Sequence, residues 1–286
     1  MELCDPKTVR HLLSRHNFRF SRSMGQNFLI DKRVPDVIAQ AASLDESAGV
    51  LEIGPGIGAL TVRLAPLAGR LVAVELDRSL APILDETLAD LNNVELIFGD
   101  ILKLDIRGIV SEKLPGLRPA VCANLPYNIT SPVITALIES GLFRVMVLLV
   151  QREVAQRICG GPEGDYGAFT VYVNYYYTSE ILLTVPPESF MPAPKVHSSV
   201  IRLVRRSSPA QELVSDEEFF RVVRAAFALR RKKLVNSMFS VLGNEFTKEE
   251  LLDAVVSCGY PEDIRGEALD INGFSQIALK LSKKSR

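Results

Sequence analysis

The sequence predicts a doubly wound α/β fold, with a mostly parallel sheet of seven strands followed by a small all-helical C-terminal domain. Three observations lead there. Between residues 49 and 150 short apolar runs alternate with amphipathic stretches, the pattern of strand–helix units whose strands are buried on both faces. A glycine-rich turn, Gly54-Pro55-Gly56-Ile57-Gly58, stands directly between one such run and a helical stretch. After Ser207-Ser208-Pro209 only helical spacing remains.

Taken in order, residues 50–53, 71–75, 94–98, 120–123 and 145–150 read as buried parallel strands. Residues 60–65, 79–88 and 132–139 carry helical spacing between them. Residues 166–176 read as a further helix, and residues 181–185 and 199–204 as two strands. A loop containing Pro186, Pro187, Pro192 and Pro194 joins these two strands, which would form an antiparallel edge and bring the sheet to seven. Beyond the linker, Phe219, Val222, Val223, Ala226 and Phe227 recur at helical spacing behind Asp216, Glu217 and Glu218, acids well placed at a helix N-terminus. Thr247 with Glu250 forms a capping-box start for another helix reaching Val256. The expected division is residues 1–206, including a basic N-terminal segment 1–33, and residues 207–286.

The chain has 286 residues, 47% hydrophobic and 23% charged, which excludes wholesale disorder. A net charge of −1 argues at first sight against a nucleic-acid partner. The average hides a division by region. Residues 1–33 hold seven basic and three acidic side chains, residues 34–150 eight and fourteen, and residues 219–233 six and none. An acidic body flanked by basic segments leaves a nucleic-acid partner open. No apolar stretch approaches the roughly 18 residues of a membrane span, and the N-terminus lacks the apolar core of a secretory signal. Glu2 and Asp5 count against reading the arginine-rich start as a mitochondrial presequence. Cys4, Cys122, Cys159 and Cys258 form no Cys-x-x-Cys pair, and His11, His16 and His197 have no metal-ligand spacing. A cytoplasmic protein with free thiols and no bound metal is expected.

Four strand ends carry the chemistry. Glycines at 54 and 56 let the main chain turn sharply and approach a ligand closely, although Gly54-x-Gly56-x-x-Ala59 also satisfies a relaxed dinucleotide fingerprint. Glu75 ends the next strand, 21 residues after Gly54, where a carboxylate can accept both hydroxyl protons of the ribose of either kind of nucleotide cofactor. Asp100 follows the third, where it can accept a hydrogen bond from an adenine amino group, although Gly-Asp is also ordinary turn chemistry. The fourth runs into Asn124-Leu125-Pro126-Tyr127. An exocyclic amine on a purine is a poor nucleophile, because its lone pair is delocalised into the ring. Acceptors aimed at its N–H bonds, the Asn124 side-chain oxygen and a carbonyl at Leu125 or Pro126, favour a tetrahedral nitrogen whose lone pair faces an electrophile. Pro126 fixes the turn, and Tyr127 offers a face for the base.

In this order the four motifs resemble class I S-adenosylmethionine-dependent methyltransferases of the amino-group type. With Gly25-Gln26-Asn27-Phe28-Leu29, Asn124-Leu125-Pro126-Tyr127-Asn128-Ile129 and Phe190-x-Pro192-x-Pro194-Lys195-Val196, the chain is similar to the KsgA/Dim family of ribosomal RNA adenine dimethyltransferases, from about Ser21 to Leu203. The resemblance implies S-adenosylmethionine as methyl donor, S-adenosylhomocysteine as product and no metal. It implies cofactor contacts from Asn27, Leu29, Gly54, Gly56, Glu75, Asp100 and Asn124. It makes Asn124, Leu125 and Pro126 the catalytic loop and sets Tyr127 and Phe190 on either side of the target base.

The implied substrate is a pair of adjacent adenosines near the 3′ end of small-subunit (16S) ribosomal RNA within an assembling 30S particle, met by a monomer. Candidate phosphate contacts are Arg10, Arg15, Arg19 and Arg22, then Arg221, Arg224, Arg230, Arg231, Lys232 and Lys233. A related class dimethylates large-subunit (23S) RNA and confers macrolide-type resistance; methylation of that RNA would favour it. A dehydrogenase would bind a nicotinamide and leaves the Asn124 motif without purpose. A non-catalytic assembly factor would act without a methyl donor.

Overall fold

The computed structural model describes residues 1–21, 25–161, 166–229 and 231–283. Two expected RNA contacts, Arg22 and Arg230, lie outside the described residues.

The strands are β1 (Phe28–Leu29), β2 (Ala48–Ile53), β3 (Arg70–Glu75), β4 (Val94–Phe98), β5 (Arg118–Asn124), β6 (Val145–Gln151), β7 (Tyr177–Val185), β8 (Phe190–Met191) and β9 (Ser198–Arg205). The helices are α1 (Pro6–Arg15), α2 (Arg33–Ala41), α3 (Thr61–Leu64), α4 (Ala81–Thr87), α5 (Ile106–Lys113), α6 (Thr130–Ser140), α7 (Arg152–Cys159), α8 (Ala168–Tyr176), α9 (Asp216–Ala226), α10 (Leu234–Leu242), α11 (Lys248–Val256) and α12 (Ile271–Ser282). Seven strands form one sheet in the order β4-β3-β2-β5-β6-β9-β7. Strands β2 to β6 are parallel, and β9 runs antiparallel to β6, with Leu149 opposite Val200. The expected mostly parallel, doubly wound sheet is present. The apolar runs become central strands because both faces are covered: β2, β5 and β6 are almost wholly buried.

From β2 the chain builds outward through β3 and β4, then crosses to β5 on the other side. That reversal is the topological switch point at which open α/β sheets bind ligands. The parallel registers Ile53↔Val74, Glu75↔Phe98 and Ile53↔Ala123 keep the carboxyl ends of four strands level. Gly54, Glu75, Asp100 and Asn124 therefore meet along one edge.

A second, two-stranded sheet pairs β1 with β8 antiparallel, Phe28 opposite Met191 and Leu29 opposite Phe190. The pleat sends each cross-strand pair to its own core. Leu29 and Phe190 join Val34, Ile38 and Leu60, whereas Phe28 and Met191 join Leu12, Ile57 and Leu84. Strands of two residues have no period to read, so composition did not announce this sheet.

The chain divides into two compact units, residues 1–155 with 179–205, and residues 156–178 with 206–286. The second contains α9 to α12, whose core includes Phe219, Met238, Leu251, Val255, Phe274 and Ile277. Capping boxes begin α9 at Ser215/Glu218 and α11 at Thr247/Glu250. This unit also takes in residues 156–178, which the expected division at 206 left with the sheet. The reason is aromatic: Tyr175 stacks on Phe219 with ring centroids 4.8 Å apart, and its hydroxyl donates to Asp216 Oδ1 at 2.5 Å. Among the described residues no helix is long and apolar enough to cross a membrane.

Candidate active site

The turn after β2 lines its cleft with main chain. Gly54 and Gly56 have φ of +69° and +61°, left-handed values that cost an L side chain about 1–2 kcal/mol. A Cβ on Gly56 would also stand 3.1 Å from the Phe28 ring, so the turn is closed to larger residues from the β1 side.

Glu75, only 7% exposed, accepts from the Gly56 N–H through Oε2 at 3.1 Å and from the Asp77 N–H through Oε1 at 2.9 Å. Burial holds its carboxyl above the ordinary carboxylate range, and the two N–H donors oppose that rise. Each oxygen keeps acceptor capacity beyond these bonds. Asp100 accepts from the Leu102 N–H at 3.1 Å and lies 3.4 Å from Lys103 Nζ, so its carboxylate is fixed at the end of β4.

Asn124 ends β5 and donates through Nδ2 to the Asn27 carbonyl at 3.1 Å. This bond fixes which end of the amide is which, leaving Oδ1 as the acceptor end. The carbonyl of Pro126 already accepts from the Ile129 N–H and the Thr130 hydroxyl, both at 3.2 Å. Of the two candidate backbone acceptors, the Leu125 carbonyl is therefore the one with capacity for a ligand. The Tyr127 hydroxyl and Ser198 Oγ are 2.6 Å apart, and burial pushes the phenol above its usual range. A short bond at the far end of the ring holds its plane.

One cleft is lined by Asn27, Leu29, Gly54, Gly56, Glu75, Asp100, Asn124, Leu125, Pro126 and Tyr127. Every expected cofactor or catalytic residue is there except Phe190. Its ring is 3% exposed, packed with Leu29, Val34 and Ile38. Alternation in β8 puts Phe190 on the same face as its partner Leu29. Reading the motif without its strand could not give that direction. Sequence reasoning assigned no role to Gln26, which lines the cleft, or to Asp77 and Ser198, which bond to its lining residues Glu75 and Tyr127. Gln26 lay inside the quoted Gly25–Leu29 motif, which was the available signal.

Among the expected RNA contacts, Arg10 and Arg19 are exposed, whereas Arg15 pairs with Glu86. Arg221 pairs with Glu245 at 3.0 Å and lies over the Phe246 ring. Arg224, Arg231, Lys232 and Lys233 are exposed. Arg231 and Lys232 share a concavity of the helical unit with Arg265, Tyr166 and Phe227. Cations beside aromatic faces suit a nucleic-acid strand.

A family model described as ribosomal RNA adenine dimethylase matches residues 17–256. The chain is 43% identical over 282 residues to "Ribosomal RNA small subunit methyltransferase A" of Streptococcus gordonii, covering 97% of each. It is 40% identical to the protein of that name from Alkaliphilus oremlandii, covering 99% of each. Among solved structures it resembles a dimethyladenosine transferase from Plasmodium falciparum, with a TM-score of 0.75, 28% identity, and 90% and 98% of the two chains covered. It also resembles the 23S rRNA methyltransferase ErmE, with a TM-score of 0.72, 27% identity, and 90% and 100% covered.

Proposed function

Because the chain belongs to the ribosomal RNA adenine dimethylase family, we propose that it transfers methyl groups from S-adenosylmethionine to N6 of two adjacent adenosines near the 3′ end of small-subunit ribosomal RNA. The observation that carries this reading is the Asn124 amide, tethered by its nitrogen so that its oxygen remains an acceptor in the same cleft as Glu75.

The residues fit the methyl donor. A turn with glycine at 54 and 56, a buried acid placed for ribose hydroxyls and a second acid placed for an adenine amino group follow one another along the cleft. Bound there, S-adenosylmethionine supplies an electrophilic methyl on a positively charged sulfur. The chain supplies the rest. Asn124 Oδ1 and the Leu125 carbonyl accept the two N–H bonds of the target amine, Tyr127 offers the base a stacking face, and Ser198 holds that ring. Phe190, packed beside Leu29, is the candidate for the second face of the base. Holding both reactants in one orientation provides much of the acceleration. An alkylated amine is acidic and sheds its proton to water without a strong general base. The adenine leaves its stack to enter.

In this reading Arg19, Arg224, Arg231, Lys232 and Lys233 meet RNA phosphates, and the helical unit serves chiefly to hold the particle. The protein works as a cytoplasmic monomer on an assembling 30S subunit, without a bound metal. Reversing Arg231 and Lys232 to glutamate is expected to weaken RNA binding and to flatten its log–log salt dependence by about 1 per lost phosphate contact. Filter binding across a salt series checks this; an unchanged slope would return both residues to the solvated surface. Incubation with labelled donor and unmodified subunits tests the function itself. Label is expected in small-subunit RNA, and label confined to large-subunit RNA would favour a reading like that of ErmE.

A further inference from the structure

Gln26 uses both ends of its side chain. Nε2 donates to Asp77 Oδ2 at 2.6 Å, and Oε1 accepts from the Ser21 N–H at 2.9 Å. Asp77 is fixed in turn, its Oδ1 accepting from the Ser79 N–H and its own N–H donating to Glu75 Oε1, each at 2.9 Å. Glu75 holds the Gly56 N–H. One residue along the chain, the Asn27 carbonyl accepts from Asn124. On the other side, Gly25 is so close to the catalytic loop that a Cβ there would lie 3.6 Å from Asn128 Oδ1.

These bonds form a continuous path. It runs from the acid at the end of β3, through Asp77 and Gln26, along the Gln26–Asn27 main chain, to the carbonyl that restrains Asn124. We infer that Gln26 is a positioning residue that couples the cofactor half of the cleft to the amine-binding half. It acts by setting the 25–27 main chain against Asp77 on one side and Asn124 on the other. The inference rests on reading the cleft as the S-adenosylmethionine and adenine site.

Two physical points give it force. Asp77 is a buried carboxylate, so removing its Gln26 partner leaves Oδ2 without that compensation inside the protein. The Asn27 carbonyl is separated from Gln26 by one planar peptide and the φ and ψ of Asn27, and Asn27 Nδ2 donates back to the Gly25 carbonyl at 3.0 Å, so the 25–27 main chain is held as one short segment. A residue with a merely local structural task would change stability and leave both halves of the site alone. A coupling residue changes donor binding and turnover together.

The test uses the full chain. Calorimetric titration with S-adenosylmethionine gives Kd, and single-turnover transfer to small-subunit particles at saturating donor gives the chemical rate. Gln26→Ala is expected to weaken donor binding about tenfold or more, the size of a lost hydrogen bond to a charged group. It is also expected to slow transfer at saturation about tenfold, with particle affinity unchanged.

A pair of variants separates coupling from damage. Gln26→Glu sets one carboxylate against another and is expected to do worse than alanine. Gln26→Glu combined with Asp77→Asn restores every donor–acceptor polarity. The carboxylate introduced at position 26 then accepts from both the Ser21 N–H and the amide introduced at position 77, whose oxygen still accepts from Ser79. This double variant is expected to recover both constants to within about threefold of wild type, the residual that such a local non-additivity leaves. Equal binding and rate in wild type and Gln26→Ala would overturn the inference, as would a double variant no better than Gln26→Glu. A wild-type protein that fails to bind S-adenosylmethionine would overturn the reading of the cleft itself, and the two failures are therefore distinguishable.

Discussion

Replacing Asn124 by alanine is expected to lower kcat about a hundred- to a thousandfold while the protein stays folded. A bond from the target N–H to Asn124 Oδ1 strengthens as that nitrogen becomes tetrahedral and acquires positive charge, so its loss falls on the transition state more than on binding. The amide is pre-set for the task by its own donation to Asn27, and no reorganisation is needed when the substrate arrives. Structure loses little: one bond to a carbonyl at the end of β5, about 1 kcal/mol. Single-turnover rates with circular dichroism on the same sample check both halves. Near wild-type kcat would remove Asn124 from the chemistry.

The second large effect concerns Glu52, in the middle of β2. Its side chain is 1% exposed, and among the described residues neither carboxyl oxygen has a hydrogen-bond partner. Burial, opposed by the nearby Thr61 hydroxyl and reinforced by the charge of Glu75, pushes its carboxyl up to about 8. The folded chain thus holds a proton that the unfolded chain releases near the ordinary carboxylate value. The sign follows from that difference: this contribution to stability is fully present below the unfolded value and is lost as pH rises to about 8. Within that window the slope is at most about 1.4 kcal/mol per pH unit. Glu52→Gln keeps the shape and removes the titration. Urea midpoints at several pH values from 5 to 9 should show the variant gaining on wild type as pH rises, with the difference levelling above 8. A constant difference across that range would contradict the assignment.

Much of the fold was open to reading because central parallel strands are apolar on both faces and give way to glycine or a polar residue where they end. The strand ends carrying Gly54, Glu75, Asp100 and Asn124 were legible for that reason, and four such ends at a switch point define a cleft. The capping box at Thr247 and the acidic first turn at Asp216–Glu218 were equally readable, because they are local chemistry, whereas the Ser215 cap was not read. Pairings between distant short segments were not. Nothing local to Phe190 says that it lies opposite Leu29, and that pairing decides its direction. Ser198 reaches Tyr127 across 71 residues of sequence, and Gln26 reaches Asp77 across 51. Helical spacing in α8 correctly gave a helix but could not say that Tyr175 packs on Phe219. The orphaned Glu52 carboxyl was invisible too, since an acid in a strand shows its burial only when both neighbouring strands and the covering helix are known.

The central claim is that this cleft presents adenine N6 to the methyl donor twice on each of two neighbouring nucleotides of small-subunit RNA. Purified protein, S-adenosylmethionine and unmodified small-subunit particles, followed by nuclease digestion and mass spectrometry of the RNA fragments, tests it most directly. The expected result is one fragment near the 3′ end carrying two adjacent N6,N6-dimethyladenosines. Unmodified RNA, beside a control enzyme that modifies the same particles, would contradict the account.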